Sequence, residues 1–155
     1  MSSRTTPPFR ADHVGSLLRT PEVLAARADF AAGRITADEK RRIEDEGVRQ
    51  VVRMQESVGL QGITDGEYRR ASWHMDFIYR IGGITKVQDN LTVEFHNEQG
   101  DIQFTPAASR VTGTLTFQET IFAEDFAFLK SVTTRTPKLT IPSPSMVHYR
   151  GGRAA

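Results

Sequence analysis

The chain of 155 residues is 38% hydrophobic and 25% charged, which is enough apolar material for a packed domain and too much for a disordered one. Lys and Arg total 20 against 19 Asp and Glu, so the net charge of +1 gives no general field to attract nucleic acid or an anionic membrane. The absence of cysteine excludes disulfides, thiolate nucleophiles and any zinc site that needs a Cys ligand from this chain.

The N-terminal residues lack the apolar core of a secretory signal, and no stretch of about 18 apolar residues could span a membrane. We therefore expect a cytoplasmic protein with neither a nucleic-acid nor a membrane partner.

Two helices are predicted in the first third of the chain. Pro21 can occupy the first turn of a helix over residues 21–32, which Gly33 ends. Thr36 and Glu39 form the capping-box pattern, in which each side chain bonds the other's backbone N–H. The apolar spacing that follows predicts a long amphipathic helix ending near Gly59.

Short buried strands should flank these helices, and an antiparallel region should follow them. We expect parallel, adjacent strands near residues 11–15, 61–65 and 138–141, the last within an apolar stretch 138–145 that Pro142 and Pro144 end. Residues 71–80 are predicted as a short helix and residues 123–132 as a longer one. Alternating Val, Thr and Phe predict antiparallel strands at 91–97, 101–105 and 110–117, within an insertion at about 84–118.

Parallel strands of α/β proteins present ligand-binding residues where they end. His13, Val14, Gly15 and Ser16 follow the first predicted strand, and the Gly15 and Ser16 amides with the Ser16 hydroxyl could hold a carboxylate. The turn after the second strand carries Asp65 and Glu67, which could hold an ammonium group. Together these chemistries suit the two ends of an amino acid.

A purely structural interpretation also fits these loops. Gly15, Ser16 and Asp65 are ordinary turn residues, and Ser16 or Thr20 could simply cap the first helix. Arg69 and Arg70 could bind a polyanionic tail or lie in solvent, and Trp73 could stack on a flat ring or belong to the core.

The histidines give no metal-binding pattern. His13, His74, His96 and His148 share no spacing that would place two ligands side by side. We therefore predict no metal site from this chain's own residues.

Three segments together resemble one family. They are ADHVGSLLR, GLQGITDGEYRRASWHMDF and KLTIPSPS, and the likeness extends from Phe9 to about Gly152. They resemble the cobalamin-independent methionine synthases, especially the single-barrel members often labelled methionine synthase II. The resemblance implies an α/β fold, the N-terminal portion of a (β/α)8 TIM barrel with an antiparallel β insertion. It also implies a zinc-bound homocysteine thiolate that attacks the methyl group of methyltetrahydrofolate.

The resemblance assigns roles to residues of this chain. Val14, Gly15 and Ser16 match the stretch that grips the amino-acid backbone, and Glu67 matches the glutamate that binds the homocysteine amino group. Asp65 is placed to orient the Glu67 loop. The complete predicted substrate-binding set is His13, Val14, Gly15, Ser16, Asp65, Glu67, Arg70 and Trp73.

The family's zinc ligands, a His, two Cys and a Glu, lie on later strands than this chain resembles. We therefore expect no catalytic residue and no metal ligand here, and an incomplete catalyst. A second chain or the C-terminal part of the barrel would be needed, whether the chain is a truncated product, half of a split protein or a fragment.

Two alternatives remain at this point. Relatives of this subgroup include enzymes that transfer an alkyl group to coenzyme M, another thiol nucleophile. The chain could also be a stand-alone, non-catalytic α+β binding module whose principal sheet is the antiparallel segment 91–117.

Overall fold

The computed structural model describes residue 4 and residues 6–88, 93–97, 100–104 and 107–147. They divide into two units. The first holds the residues up to Ala71 together with Phe122–Thr140, and the second holds Ser72–Ile121 together with the residues from Ile141 onward. No helix in the described ranges is both long and apolar enough to cross a lipid bilayer.

The first unit begins with the two helices that the capping patterns predict. Helix α1 spans Pro21–Ala31, and the Thr20 side chain accepts a hydrogen bond from the Val23 N–H. Helix α2 spans Ala37–Ser57. At its start the Glu39 N–H donates to Thr36 Oγ1, and the Thr36 N–H donates to the Glu39 carboxylate at 2.8 Å. Both predicted helices and the capping box are confirmed. They could be predicted because the capping bonds join residues only three positions apart.

The remaining elements of the first unit complete a core against these helices. Strand β1 spans Gly62–Ile63, and, after the intervening second unit, helix α4 spans Ala123–Val132 and strand β6 spans Thr136–Pro137. The core cluster comprises Val23, Val48, Val51, Val52, Ile63, Tyr68 and Leu129. Gly47 admits the close packing of α1 on α2, since a Cβ there would lie 2.8 Å from Val23 Cγ2.

Strands β1 and β6 pair in parallel, but the partner of β1 is Thr136–Pro137, and the strand predicted at 138–141 is not formed. Gly62 lies opposite Thr136 and Ile63 opposite Pro137. The strand ladder stops at Thr64 because the backbone N–H and carbonyl of Thr64 both bond the side chain of Gln55. The Thr64 N–H donates to Gln55 Oε1 at 3.0 Å, and Gln55 Nε2 donates to the Thr64 carbonyl at 2.8 Å.

The strand predicted at residues 11–15 is not formed. The carbonyls of this segment accept hydrogen bonds from side chains. In a strand they would accept them from the backbone of a neighbouring strand. Thr140 Oγ1 donates to the Val14 carbonyl at 2.5 Å and Thr64 Oγ1 to the Gly15 carbonyl at 2.8 Å. The fold is therefore mixed α/β with one short parallel pair, and the described residues form no closed barrel.

The second unit is largely antiparallel. It contains helix α3 and strands β2 to β5, at Met75–Ile78, Gly82–Gln88, Val93–Asn97, Gly100–Phe104 and Ala107–Thr116. Strand β5 pairs with β2, and β3 pairs with β4 as a hairpin. The helix predicted over 71–80 is reduced to the four residues of α3.

Strand β2 was not predicted, because it opens with two glycines that weaken the strand signal. Gly83 has a φ of +85°, and a Cβ there would lie 2.5 Å from the Thr114 carbonyl oxygen. The pairing is irregular at this point, between Gly82 and Ile84. Gly82 and Gly83 therefore allow the irregular bend in this strand pair.

Candidate functional site

Two polar loops of the first unit meet where β1 ends. We call residues 12–19 the lead-in segment and residues 64–70 the acidic turn. The Leu17 N–H of the lead-in segment donates to the Gly66 carbonyl of the acidic turn at 3.0 Å. Thr64 Oγ1 donates to the Gly15 carbonyl at 2.8 Å. The two stretches in which the sequence predicts a carboxylate site and an ammonium site therefore lie against each other.

Glu67 has a left-handed backbone, with a φ of 56°. For a non-glycine residue this conformation costs on the order of 1–3 kcal/mol and is concentrated at functional sites. The acidic turn holds it in place on both sides, since the Glu67 N–H donates to Asp65 Oδ1 at 2.9 Å and its carbonyl accepts the Arg70 N–H at 3.0 Å. Asp65, itself buried, thus orients the backbone of Glu67.

The Glu67 carboxylate is buried and incompletely paired. The residue is only 3% exposed, and Oε2 has no hydrogen-bond partner. Oε1 lies 3.7 Å from Arg70 Nη1. Burial raises the pKa of the Glu67 carboxyl above its ordinary value, and the Arg70 charge offsets part of that effect. An unpaired buried carboxylate oxygen is suited to accept a hydrogen bond from a cationic donor.

Gly15 provides the space that this carboxylate occupies. A Cβ on Gly15 would lie 2.8 Å from Glu67 Oε1 and 2.6 Å from Thr140 Oγ1, closer than atoms pack. Thr140 also bonds the adjacent Val14 carbonyl. Glycine at this position is thus explained by the close approach of two side chains.

Two arginines at the start of the chain hold the acidic turn by its carbonyl groups. Arg19 Nη2 donates to the Glu67 carbonyl at 2.7 Å, while its Nη1 donates to Ser16 Oγ at 3.1 Å. Arg27 Nη2 donates to the carbonyls of Tyr68 at 2.5 Å and Arg70 at 2.8 Å. Arg19 therefore joins the lead-in segment to the acidic turn.

The side chains of the lead-in segment alternate between inside and outside. Gly15 is buried, whereas Val14 is 78% exposed and Ser16 is exposed. His13 is half-buried, and its Nε2 has no hydrogen-bond partner. Its carbonyl is contacted by Lys138 Nζ, whose bond to Asp12 Oδ1 at 2.7 Å lowers the pKa of Asp12.

Trp73 belongs to the second unit and is half exposed. Its ring stacks on His74, with centroids 4.3 Å apart and the planes tilted by 39°. Ser143 and Ser145, after the third predicted strand, also lie in the second unit, with their hydroxyl oxygens 3.0 Å apart. The residues brought together in the first unit are Gly15, Asp65, Glu67 and Arg70.

The described part of the chain contains no group of three or more His, Cys, Asp or Glu side chains that could hold a metal ion. His96 pairs with Asp101 at 2.5 Å across the β3–β4 hairpin. His148 lies outside the described residues. We therefore assign no zinc ligand to the residues that the structure describes.

Comparison with known proteins identifies the relatives of this chain, although no family model matches it. The uncharacterized protein YxjG of Bacillus subtilis is 43% identical over 149 residues, which cover 96% of this chain and 38% of YxjG. A crystal structure from Listeria monocytogenes, provisionally named a vitamin-B12-independent methionine synthase, has a TM-score of 0.72 and 41% identity over 94% of this chain and 39% of that chain. The 5-methyltetrahydropteroyltriglutamate–homocysteine methyltransferase of Thermotoga maritima is 25% identical over 148 residues, 93% of this chain and 19% of that enzyme.

The chain is homologous to cobalamin-independent methionine synthases. The resemblance inferred from its sequence is confirmed. The chain spans less than two fifths of the length of these relatives, at 38% of YxjG and 39% of the Listeria chain.

Three residues that hold the lead-in segment or the acidic turn were not predicted as site residues. Arg19 stands within the motif ADHVGSLLR, but nothing in its spacing indicates that it bonds the acidic turn. Thr140 stands within KLTIPSPS, and Gln55 lies on the buried side of α2. The buried polar side chain of Gln55 on an amphipathic helix was the one signal that could have drawn attention to it.

Proposed function

We propose that this chain carries part of the substrate-binding face of a methyltransferase similar to the 5-methyltetrahydropteroyltriglutamate–homocysteine methyltransferases, and that it binds the amino-acid end of homocysteine. The observation that carries the proposal is the Glu67 carboxylate, which is buried beneath Gly15 with Oε2 unpartnered. The ammonium group of an amino acid would supply the missing hydrogen bond and the opposite charge.

Ser16 is proposed to receive the carboxylate end of the same ligand. Its hydroxyl is exposed and already bonded to Arg19, so a positive charge stands next to it. Val14, which is also exposed, offers an apolar contact beside it. His13 and Asp65 complete the proposed face, Asp65 by orienting Glu67.

The ligand reaches Glu67 only if the lead-in segment moves, because Oε2 is closed to solvent. The carbonyls of Gly15 and Val14 are held by single hydrogen bonds from the side chains of Thr64 and Thr140. They do not belong to a strand ladder. A few such bonds can open without disrupting the core, which supports this segment as the part that moves.

The carboxylate also favours homocysteine over coenzyme M. Coenzyme M has a sulfonate and no ammonium group, so a buried carboxylate would repel it. Glu67 therefore supports methyl transfer to an amino-acid thiol over alkyl transfer to coenzyme M.

In the proposed complete enzyme, this chain forms the first part of a (β/α)8 barrel. Zinc would make the thiol a thiolate nucleophile at neutral pH. Because this chain contains no cysteine, the zinc ligands would come from a further segment or a second chain. We assign neither zinc nor methyltetrahydrofolate a contact here and derive no step through them.

Calorimetric titration of homocysteine into the unmodified chain, Glu67→Gln and Glu44→Gln tests the proposal. Glu44 is the matched control, since it is 2% exposed and lies on α2, outside the two loops. Glu67→Gln is expected to weaken binding by about 1.5–3 kcal/mol, the worth of a hydrogen bond to a charged group. That corresponds to a Kd roughly 10- to 150-fold higher. Glu44→Gln should leave the Kd unchanged.

Equal Kd values for the unmodified chain and Glu67→Gln would refute the role of Glu67. Failure of the unmodified chain to bind homocysteine at millimolar concentration would refute the proposal that this chain carries the amino-acid contacts.

A further inference from the structure

Arg70 is buried among parts of the first unit that are distant in the sequence. It is 2% exposed, and its guanidinium lies 4.1 Å from the centroid of the Phe122 ring, which precedes α4. Its Nη1 donates to the Thr140 carbonyl at 2.8 Å and lies 3.7 Å from Glu67 Oε1. One side chain thus contacts both the acidic turn and the residues after β6.

The two non-glycine residues with left-handed backbones in the described ranges are Glu67, with φ 56°, and Phe122, with φ 62°. Both contact Arg70, one through its carboxylate and the other through its ring. Conformations of this kind persist only where the surroundings enforce them, and they cluster at functional sites. Because both of these residues contact Arg70, we infer that the site depends on where its guanidinium is held.

Arg70 is also fixed through its backbone. Its carbonyl accepts hydrogen bonds from Arg27 at 2.8 Å and Arg19 at 3.3 Å, and its N–H donates to the Glu67 carbonyl. Its guanidinium is held as well, since Nη1 bonds the Thr140 carbonyl and the group lies over the Phe122 ring. The side chain therefore has little freedom to swing toward a ligand, and it stays 3.7 Å from Glu67 Oε1.

We propose that Arg70 is a positioning residue, which holds the Glu67 carboxylate and its negative charge beneath Gly15 without contacting the ligand itself. The inference rests on the proposed function, because it assigns Glu67 to an ammonium group.

The charges around Glu67 explain why such a residue is needed. Burial and the neighbouring Asp65 both favour the protonated form, whereas Arg70, Arg19 and His13 favour the ionised form. Of the groups that lower the pKa of Glu67, Arg70 has the largest effect. Without it, the buried carboxyl would take up a proton at higher pH and lose its attraction for an ammonium ligand.

The test replaces Arg70 by residues that keep or remove its charge. Arg70→Gln and Arg70→Met are neutral, and Met retains an unbranched apolar stem against Phe122 in case Gln prevents folding. Arg70→Lys keeps a cation. Arg69→Gln is the matched control, since the Arg69 side chain is 4% exposed but pairs with Asp45 and Asp125.

Carbon-13 NMR of labelled glutamate carboxyls follows the titration of Glu67, whose signal is identified by its loss in Glu67→Gln. Both neutral variants are expected to move the Glu67 midpoint to higher pH. Arg70→Lys should bring the midpoint most of the way back to that of the unmodified chain, and Arg69→Gln should leave the midpoint unchanged. The ratio of the homocysteine Kd at pH 6 to that at pH 8 should then be larger in both neutral variants than in the unmodified chain, because a protonated carboxyl no longer attracts the ammonium group.

An unchanged Glu67 midpoint in a folded neutral variant would overturn the inference. So would an equal shift in Arg69→Gln, which would indicate a general loosening of the turn. Failure of the proposed function is distinguishable. In that case the Glu67 midpoint would still move in Arg70→Met, while Glu67→Gln would bind homocysteine as tightly as the unmodified chain does.

Discussion

Replacing Gly15 by alanine tests the close approach on which the candidate site depends. The added Cβ would lie 2.6 Å from Thr140 Oγ1 and 2.8 Å from Glu67 Oε1, so at least one of these side chains must move. Overpacking of this kind costs about 1–3 kcal/mol. A moved Thr140 would also lose its bond to the Val14 carbonyl, worth about 0.5–1.5 kcal/mol.

A smaller stabilising effect opposes these costs. Alanine restricts the unfolded chain and so gains about 0.4–1 kcal/mol where the backbone accepts it. Gly15 is outside the set of left-handed glycines, so its backbone accepts alanine. The free energy of unfolding should therefore fall by roughly 0.5–4 kcal/mol in total.

Urea unfolding followed by far-ultraviolet circular dichroism measures this loss, because helices α1, α2 and α4 all belong to the first unit. Gly62→Ala is the matched control. Its nearest atom would be Asp12 Oδ1 at 3.2 Å, at the end of an exposed side chain that can move aside. Equal losses in the two variants, or a change below about 0.5 kcal/mol in Gly15→Ala, would refute the packing argument.

Two further predictions concern buried polar groups on α2. Gln55→Leu should lower the free energy of unfolding by about 2–4 kcal/mol, because the N–H and carbonyl of Thr64 lose their buried partner. A loss below about 1 kcal/mol would show that water replaces it. Burial raises the pKa of Glu44 above its ordinary value of 4.5, so the folded state holds this proton more tightly and stability declines as pH rises through the folded pKa. Urea titrations between pH 4 and pH 7 should show that Glu44→Gln removes this part of the decline, and an unaltered pH profile would contradict it.

The sequence alone determined helices α1 and α2 and the homology to cobalamin-independent methionine synthases. Thr36 and Glu39 form their capping box within one turn, and Pro21 starts α1 wherever the rest of the chain lies. Local signals of this kind need no distant partner, so composition and spacing are sufficient to predict them. The three motifs likewise predicted the relationship to cobalamin-independent methionine synthases, and they brought Gly15 and Glu67 into consideration.

The tertiary structure alone decided how those residues meet. Arg19 bonds the Glu67 carbonyl across 48 positions, and Thr140 bonds the Val14 carbonyl across 126. The side chains of Thr140 and Thr64 bind the carbonyls of Val14 and Gly15, within residues 11–15, where a strand was expected. Glu67 adopts its left-handed backbone within a turn that Arg19 and Arg27 hold by its carbonyls. Hydrogen-bond partners so far apart leave no periodicity in the sequence, because they become neighbours only in the folded chain. Thr140, for example, is brought near Val14 by the pairing of β6 with β1.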